Sequence, residues 1–98
     1  MPENTISMLT VKVSGKAEEV LLKFTPEQGK YIKSVPMHKT QQIVEEDQTG
    51  TTVKLHVMIT YELVQDIVSY AYKVRVLSPW SLAEKVYRIH QKAMKQYE

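Results

Sequence analysis

The stretch VPMHKTQQIVEED, residues 35–47, gathers the side chains of this sequence best equipped for chemistry. His38 offers a general base or a metal ligand near neutral pH, Gln41 and Gln42 offer amides to a polar ligand, and Glu45, Glu46 and Asp47 offer carboxylates to a cation. Their spacing argues otherwise. His38, His56 and His90 fall on a predicted loop, strand and helix, with no i, i+4 pair and no HExxH pattern. The acids are consecutive, whereas a calcium loop spaces its oxygen ligands. Gly15, Gly29 and Gly50 are isolated, so no phosphate-cradling loop forms, and Ser14, Ser34, Ser69, Ser78 and Ser81 sit in no nucleophile-elbow context. Cysteine is absent, which removes disulfides, thiolate ligands and thiol nucleophiles. The sequence reads as that of a non-enzyme without cofactor or metal.

The elements that carry these residues come from a chain of 98 residues, long enough for one small domain. Its 43% hydrophobic and 24% charged residues are ordinary for a folded protein. No apolar run approaches the roughly 20 residues of a membrane span, and no secretory leader opens the chain, so no membrane partner and a cytoplasmic location are expected. A net charge of +2 is too mild to mark a nucleic-acid binder by itself.

Residues 1–18, with Leu9, Val11 and Val13 alternating before Ser14-Gly15, read as a marginal strand or an entering linker, and residues 19–98 as the domain. A strand is predicted from Val20 to Phe24. Thr25-Pro26-Glu27-Gln28 then gives an N-cap, an N1 proline and a capping-box glutamine for a short helix, with Tyr31, Ile32 and Val35 facing inward and Gly29 weakening it. Pro36 closes that helix. Gln42–Glu46 reads as a strand, Asp47-Gln48-Thr49-Gly50 as a hairpin loop, and Thr51–Thr60 as the clearest strand, with Val53, Leu55, Val57 and Ile59 on one face.

Behind Thr60, Leu63, Val64, Ile67, Val68 and Ala71 fall at helical spacing, and Lys73–Leu77 alternates as a strand. Ser78-Pro79 repeats the cap-plus-proline signal for a final helix to about Tyr97, with Leu82, Val86, Ile89 and Ala93 inward. The order predicts a ferredoxin-like βαββαβ sandwich of the α+β class, a four-stranded antiparallel sheet with two helices and an extra C-terminal helix.

Two surfaces follow. Lys23, Lys54, His56 and Arg75 fall on the second sheet face, either as a platform for an anionic effector or as an ordinary polar face. Thr52, Lys54, His56 and Met58 stand where an RNA-recognition sheet would carry stacking aromatics, which argues against base stacking. On the last helix, Lys85, Arg88, Lys92 and Lys95 form a basic stripe diluted by Glu84 and Gln91, and read as a solvated face. Tyr87, His90, Met94 and Tyr97 flank its core row and read as a dimer or interdomain contact.

The residues VLLKFTPEQGKYIKSVPMHKTQQIVEED resemble the opening of the C-terminal extension, WCX, that follows the WYL domain in bacterial transcriptional regulators. The matching features are Phe24, Tyr31-Ile32, Pro36, and His38 with Thr40-Gln41. The stretch YELVQDIVSYAYKVRVLSPWSLAEKVYRIHQKAMKQY is similar to that family's ending, through Val74 to Pro79, Leu82 and Tyr97. The sequence departs from the pattern at Ala71-Tyr72, where the family has a glycine, and at Thr40, where it has serine.

The resemblance implies a ferredoxin-like fold, upstream winged helix-turn-helix and WYL domains in the same polypeptide, DNA contact only through the helix-turn-helix, and a homodimer. It also implies coupling of an effector to DNA binding, the effector being a nucleotide or single-stranded nucleic acid. The residues themselves leave two other readings open, a stand-alone ACT-like small-molecule sensor and a nucleic-acid-binding module using the basic sheet face. Pro36, His38, Thr40 and Gln41 are expected to fix the helix-to-strand turn by hydrogen bonds to nearby backbone.

Overall fold

The computed structural model describes residues 16–98, and the run at Leu9, Val11 and Val13 lies outside them. In chain order the elements are β1 (Glu18–Phe24), α1 (Pro26–Ser34), β2 (Gln42–Asp47), β3 (Gly50–Val57), α2 (Tyr61–Ser69), a 3-10 turn (Ala71–Lys73), β4 (Val74–Ser78) and α3 (Trp80–Lys95). The strands form one antiparallel sheet in the order β2-β3-β1-β4. This is the ferredoxin-like arrangement, with α3 added after the last strand.

Alternation explains the sheet's inner face. Val20, Leu22 and Phe24 from β1, Val53, Leu55 and Val57 from β3 and Val76 from β4 are buried, and Ile32, Val64, Ile67, Leu82 and Val86 from the helices close over them. Each full burial of this kind contributes about 1.5–3 kcal/mol. The Phe24 ring also meets Tyr70 edge-on, with centroids 5.3 Å apart.

Two helix starts follow from their caps. The Thr25 hydroxyl accepts from the Gln28 N–H at 3.3 Å, and the Thr60 hydroxyl from the Leu63 N–H at 3.1 Å. Because Thr60 caps α2, β3 stops at Val57, short of the expected Thr60. The third start differs from expectation. Ser78 pairs with Leu21 as the last residue of β4, so Pro79 takes the cap position of α3 and no side chain caps it.

Tyr31 and Val35, expected inward, are each 69% exposed, and Ile32 is the buried apolar residue of α1. The reason is Gly29. A Cβ there would stand 2.3 Å from Thr51 Oγ1 and 2.9 Å from Thr51 Cβ, so α1 touches the sheet along Gly29 and Ile32. Tyr31, about 200° around the helix from Gly29, faces water. The glycine expected to weaken α1 is what lets it approach. Gly50 closes the β2–β3 hairpin at φ 139°, where a Cβ would meet the Phe24 carbonyl oxygen at 2.1 Å.

Ala71, expected to extend the apolar row of α2, is instead exposed in the 3-10 turn at φ 57°. Ala93, expected inward, is exposed as well, because α3 from Gln91 onward runs past the sheet it packs on.

Candidate functional site

The turn from α1 to β2 is tied by side chains. Pro36 disfavours helical geometry at Val35, which adopts φ −129° and ψ 81° and ends the helix. The Gln41 amide then spans the gap. Its Oε1 accepts from the Met37 N–H at 2.9 Å, and its Nε2 donates to the Ile32 carbonyl at 2.8 Å, one of the carbonyls a helix end leaves unpaired.

His38 Nδ1 accepts from the Thr40 N–H at 3.1 Å, which places the proton of the neutral ring on Nε2. The Thr40 hydroxyl accepts from the His56 N–H at 3.0 Å and lies 3.3 Å from the His56 carbonyl. The β2–β3 ladder begins at Gln42 opposite Lys54, so Thr40 stands where the next strand residue would face His56. Its side chain thus does there what a strand backbone would do. These bonds bind the turn to β3 and engage His38 at Nδ1, the atom a catalytic or ligating role on that side would need.

The register brings Lys23, Lys54, His56 and Arg75 to the sheet's outer face. Lys23 lies directly opposite Arg75, and Lys54 opposite Leu21. The same register adds groups that the sequence reading missed. Glu19 lies opposite His56, Glu45 opposite Thr52, and Asp47 at the end of β2. The alternation Glu19-Leu21-Lys23 carried the first of these. Glu45 carried no readable signal, because a bulge at Val44 resets which face of β2 it occupies.

The bases therefore spread over β3, β1 and β4 and the acids lie mainly on β2 at one edge, with Leu21 and the 41% exposed Leu77 among the bases. The face is polarised and not uniformly positive. Lys23 Nζ donates to Thr49 Oγ1 at 2.8 Å, and the Thr49 hydroxyl and N–H both donate to Asp47 Oδ1. Those two bonds, helped by the Lys23 charge, hold the Asp47 carboxyl below its ordinary value. A depression of about 490 Å³ beside Lys54 and His56 has Glu19 and Lys39 on its rim, again mixing signs.

On α3, Leu82 and Val86 are buried, and Ala83 and Ile89 pack against the core. Tyr87, Met94 and Tyr97 are 64%, 62% and 92% exposed, and His90 is half-buried beside them. Trp80, 73% exposed, precedes Tyr87 by the same seven-residue step that separates Tyr87 from Met94, so the three share one side of the helix. Flanking that row, Arg88 is bound to Glu84 through Nη2 at 2.7 Å and Nε at 3.2 Å, and its pKa is raised by that contact. A groove of about 770 Å³ separates Lys85 and Ile89 of α3 from Met58, Tyr61 and Val64. Among the described residues, no cluster of three His, Asp or Glu is placed to hold a metal, and no helix is long and apolar enough to cross a membrane.

A family model described as WCX domain matches residues 16–94, from just before β1 to the last turn of α3. The chain belongs to the WCX domain family. A comparison with curated proteins finds no match.

In this WCX domain, Ala71 occupies a left-handed conformation just after α2, in the turn where the resemblance leads to the expectation of glycine. An L side chain there costs about 1–2 kcal/mol. Thr40 in place of serine keeps the hydroxyl through which the turn is bound to β3.

Proposed function

We propose that this WCX domain is a non-enzymatic regulatory domain of a WYL-type bacterial transcriptional regulator. It lies behind a winged helix-turn-helix and a WYL domain of the same polypeptide, which acts as a homodimer in the cytoplasm. DNA is contacted by the helix-turn-helix alone. The observation that carries this reading is the family match over residues 16–94, which takes in every strand of the sheet and nearly all of α3.

The mechanism is linkage. An effector that favours one arrangement of the domains over another changes operator affinity by the difference, typically about 1–3 kcal/mol. The domain supplies contact surfaces whose arrangement the effector shifts. Trp80, Tyr87 and Met94 on α3, with His90 and Tyr97 beside them, form the contact to the WYL domain. Large exposed apolar side chains in one row are typical of such contacts.

The test is operator binding by the full-length regulator with and without effector. Tyr87→Glu is expected to leave basal operator affinity intact and to abolish most of the effector response. An unchanged response would remove α3 from the mechanism.

A second reading assigns the outer sheet face to a nucleotide or single-stranded nucleic-acid effector, on the strength of Lys23 lying opposite Arg75. It predicts effector binding that falls steeply with salt and is lost in Lys54→Ala/Arg75→Ala. Glu19 and Glu45 on the same face oppose a phosphate backbone, so a protein partner fits that face better.

A further inference from the structure

We infer that the corner of the outer sheet face beside His56 is a binding site for a free α-amino acid, with Glu19 holding the ammonium of the ligand and Lys54 and Lys39 its carboxylate. The inference goes beyond the regulatory reading and does not depend on it, since it needs only residues of this domain.

The strand register and the turn before β2 build the site. Glu19 of β1 lies directly opposite His56, and Gln42 of β2 directly opposite Lys54, so the four share the outer face at the end of the sheet where β2 begins. The Thr40 hydroxyl accepts from the His56 N–H and draws the turn, with Lys39, against that end of β3. These six residues line a depression of about 490 Å³. Small-molecule sites commonly measure about 300–1,000 Å³.

The charges of this corner are of both signs and stand apart. Among the described residues, the side chains of Glu19, Lys39, Lys54 and His56 make no ion pair or hydrogen bond. Other neighbouring charges of the domain do pair, Lys33 with Glu46 and Arg88 with Glu84. The corner thus presents an acid on the β1 side and bases toward β2, each with its hydrogen-bonding capacity unused.

The signs select the ligand. An inorganic anion or a phosphate chain would be attracted by Lys39 and Lys54 and repelled by Glu19, and a simple cation would meet the reverse. A zwitterion satisfies both. Glu19 and Gln42 stand on strands separated by β3, about 10 Å apart at a strand spacing near 4.8 Å. The ammonium and carboxylate of an α-amino acid sit on one carbon, and with a contact of about 3 Å at each end the zwitterion fills such a span. The Gln42 amide, donor and acceptor at once, is left for the ligand's side chain. Most of these groups are exposed, so each contact is screened and millimolar affinity is expected.

Gln41 lines the same depression, and its amide holds the Ile32 carbonyl at the end of α1. An occupant therefore steadies the turn that joins α1 to β3.

The test is a proton–nitrogen correlation NMR titration of the 98-residue chain, in which the amide dispersion of each variant shows that it is folded. The probes are the standard L-amino acids, added singly to millimolar concentration, with AMP as the anionic comparison. At least one amino acid should shift the amides of Thr40, Gln42, Lys54 and His56 saturably, while AMP leaves them in place. Its carboxamide, which lacks the carboxylate, and its N-acetyl derivative, which lacks the ammonium, should each bind at least tenfold more weakly. Glu19→Gln and Lys54→Gln should each cause the same tenfold loss. Arg75→Gln, which removes an exposed base on the same face outside the depression, should bind as the wild type does.

No saturable shift from any amino acid, derivatives that bind as tightly as the parent, an Arg75→Gln loss equal to that of Glu19→Gln, or AMP occupying the corner in place of amino acids would each overturn the site. Failure of the regulatory reading would appear separately, as an effector response unaffected by Tyr87→Glu.

Discussion

Gln41→Ala removes two hydrogen bonds with one substitution, those from the Met37 N–H and to the Ile32 carbonyl. Both partners are backbone groups at the end of α1, and the site is partly buried, so water replaces the lost bonds incompletely. A net contribution of about 1 kcal/mol per bond gives a loss of about 2 kcal/mol. For a domain of this size that lowers Tm by roughly 8–16 °C. Thermal melting followed by circular dichroism reads the change directly.

Gln41→Glu sharpens the test. It keeps an oxygen for the Met37 N–H but turns a carboxylate toward the Ile32 carbonyl at the negative end of α1. It should melt no higher than the alanine variant at neutral pH. A Tm within about 2 °C of wild type for Gln41→Ala, or a glutamate variant as stable as wild type, would refute the role given to the amide.

Three further outcomes follow from single positions. Gly29→Ala gains about 1 kcal/mol of helix propensity but drives a methyl into Thr51, at a cost of about 1–3 kcal/mol, so denaturant unfolding should show a net loss near 1 kcal/mol. Ala71→Gly should raise the unfolding free energy by about 1 kcal/mol, because it relieves a left-handed alanine on an exposed turn, and a loss would mean the turn is held differently. Asp47 has a depressed folded-state pKa, so its contribution is fully present above the ordinary carboxylate value and disappears as pH falls through the folded one. Asp47→Asn should therefore flatten the acid limb of stability against pH and leave the slope above neutrality unchanged.

What the sequence disclosed was local. The caps at Thr25 and Thr60, the hairpin at Gly50 and the alternation of Val53, Leu55 and Val57 each rest on residues a few positions apart, and the order of elements followed from them. The inward face of α1 rests on Gly29 meeting Thr51, a contact between distant segments, so Tyr31 and Val35 face water although their local spacing predicts the inner side. Ser78 had two claims on it, a helix cap and a strand pairing with Leu21, and only the register decides between them.

The outer face divides the same way. Strict alternation placed Lys23, Lys54, His56 and Arg75 together and put Glu19 on the same side of β1 as Lys23, while the side of β2 that Glu45 takes depended on the bulge at Val44. A face that read as basic from its strands one at a time is polarised once they are paired.

The proposed role of this domain is to transmit effector occupancy through its surfaces. Hydrogen exchange on the full-length regulator, with and without saturating effector, tests it most directly. Transmission predicts that effector changes protection in the amides of α3 from Trp80 to Met94. Exchange across those amides that is identical in the two states, while operator affinity still responds to effector, would contradict it.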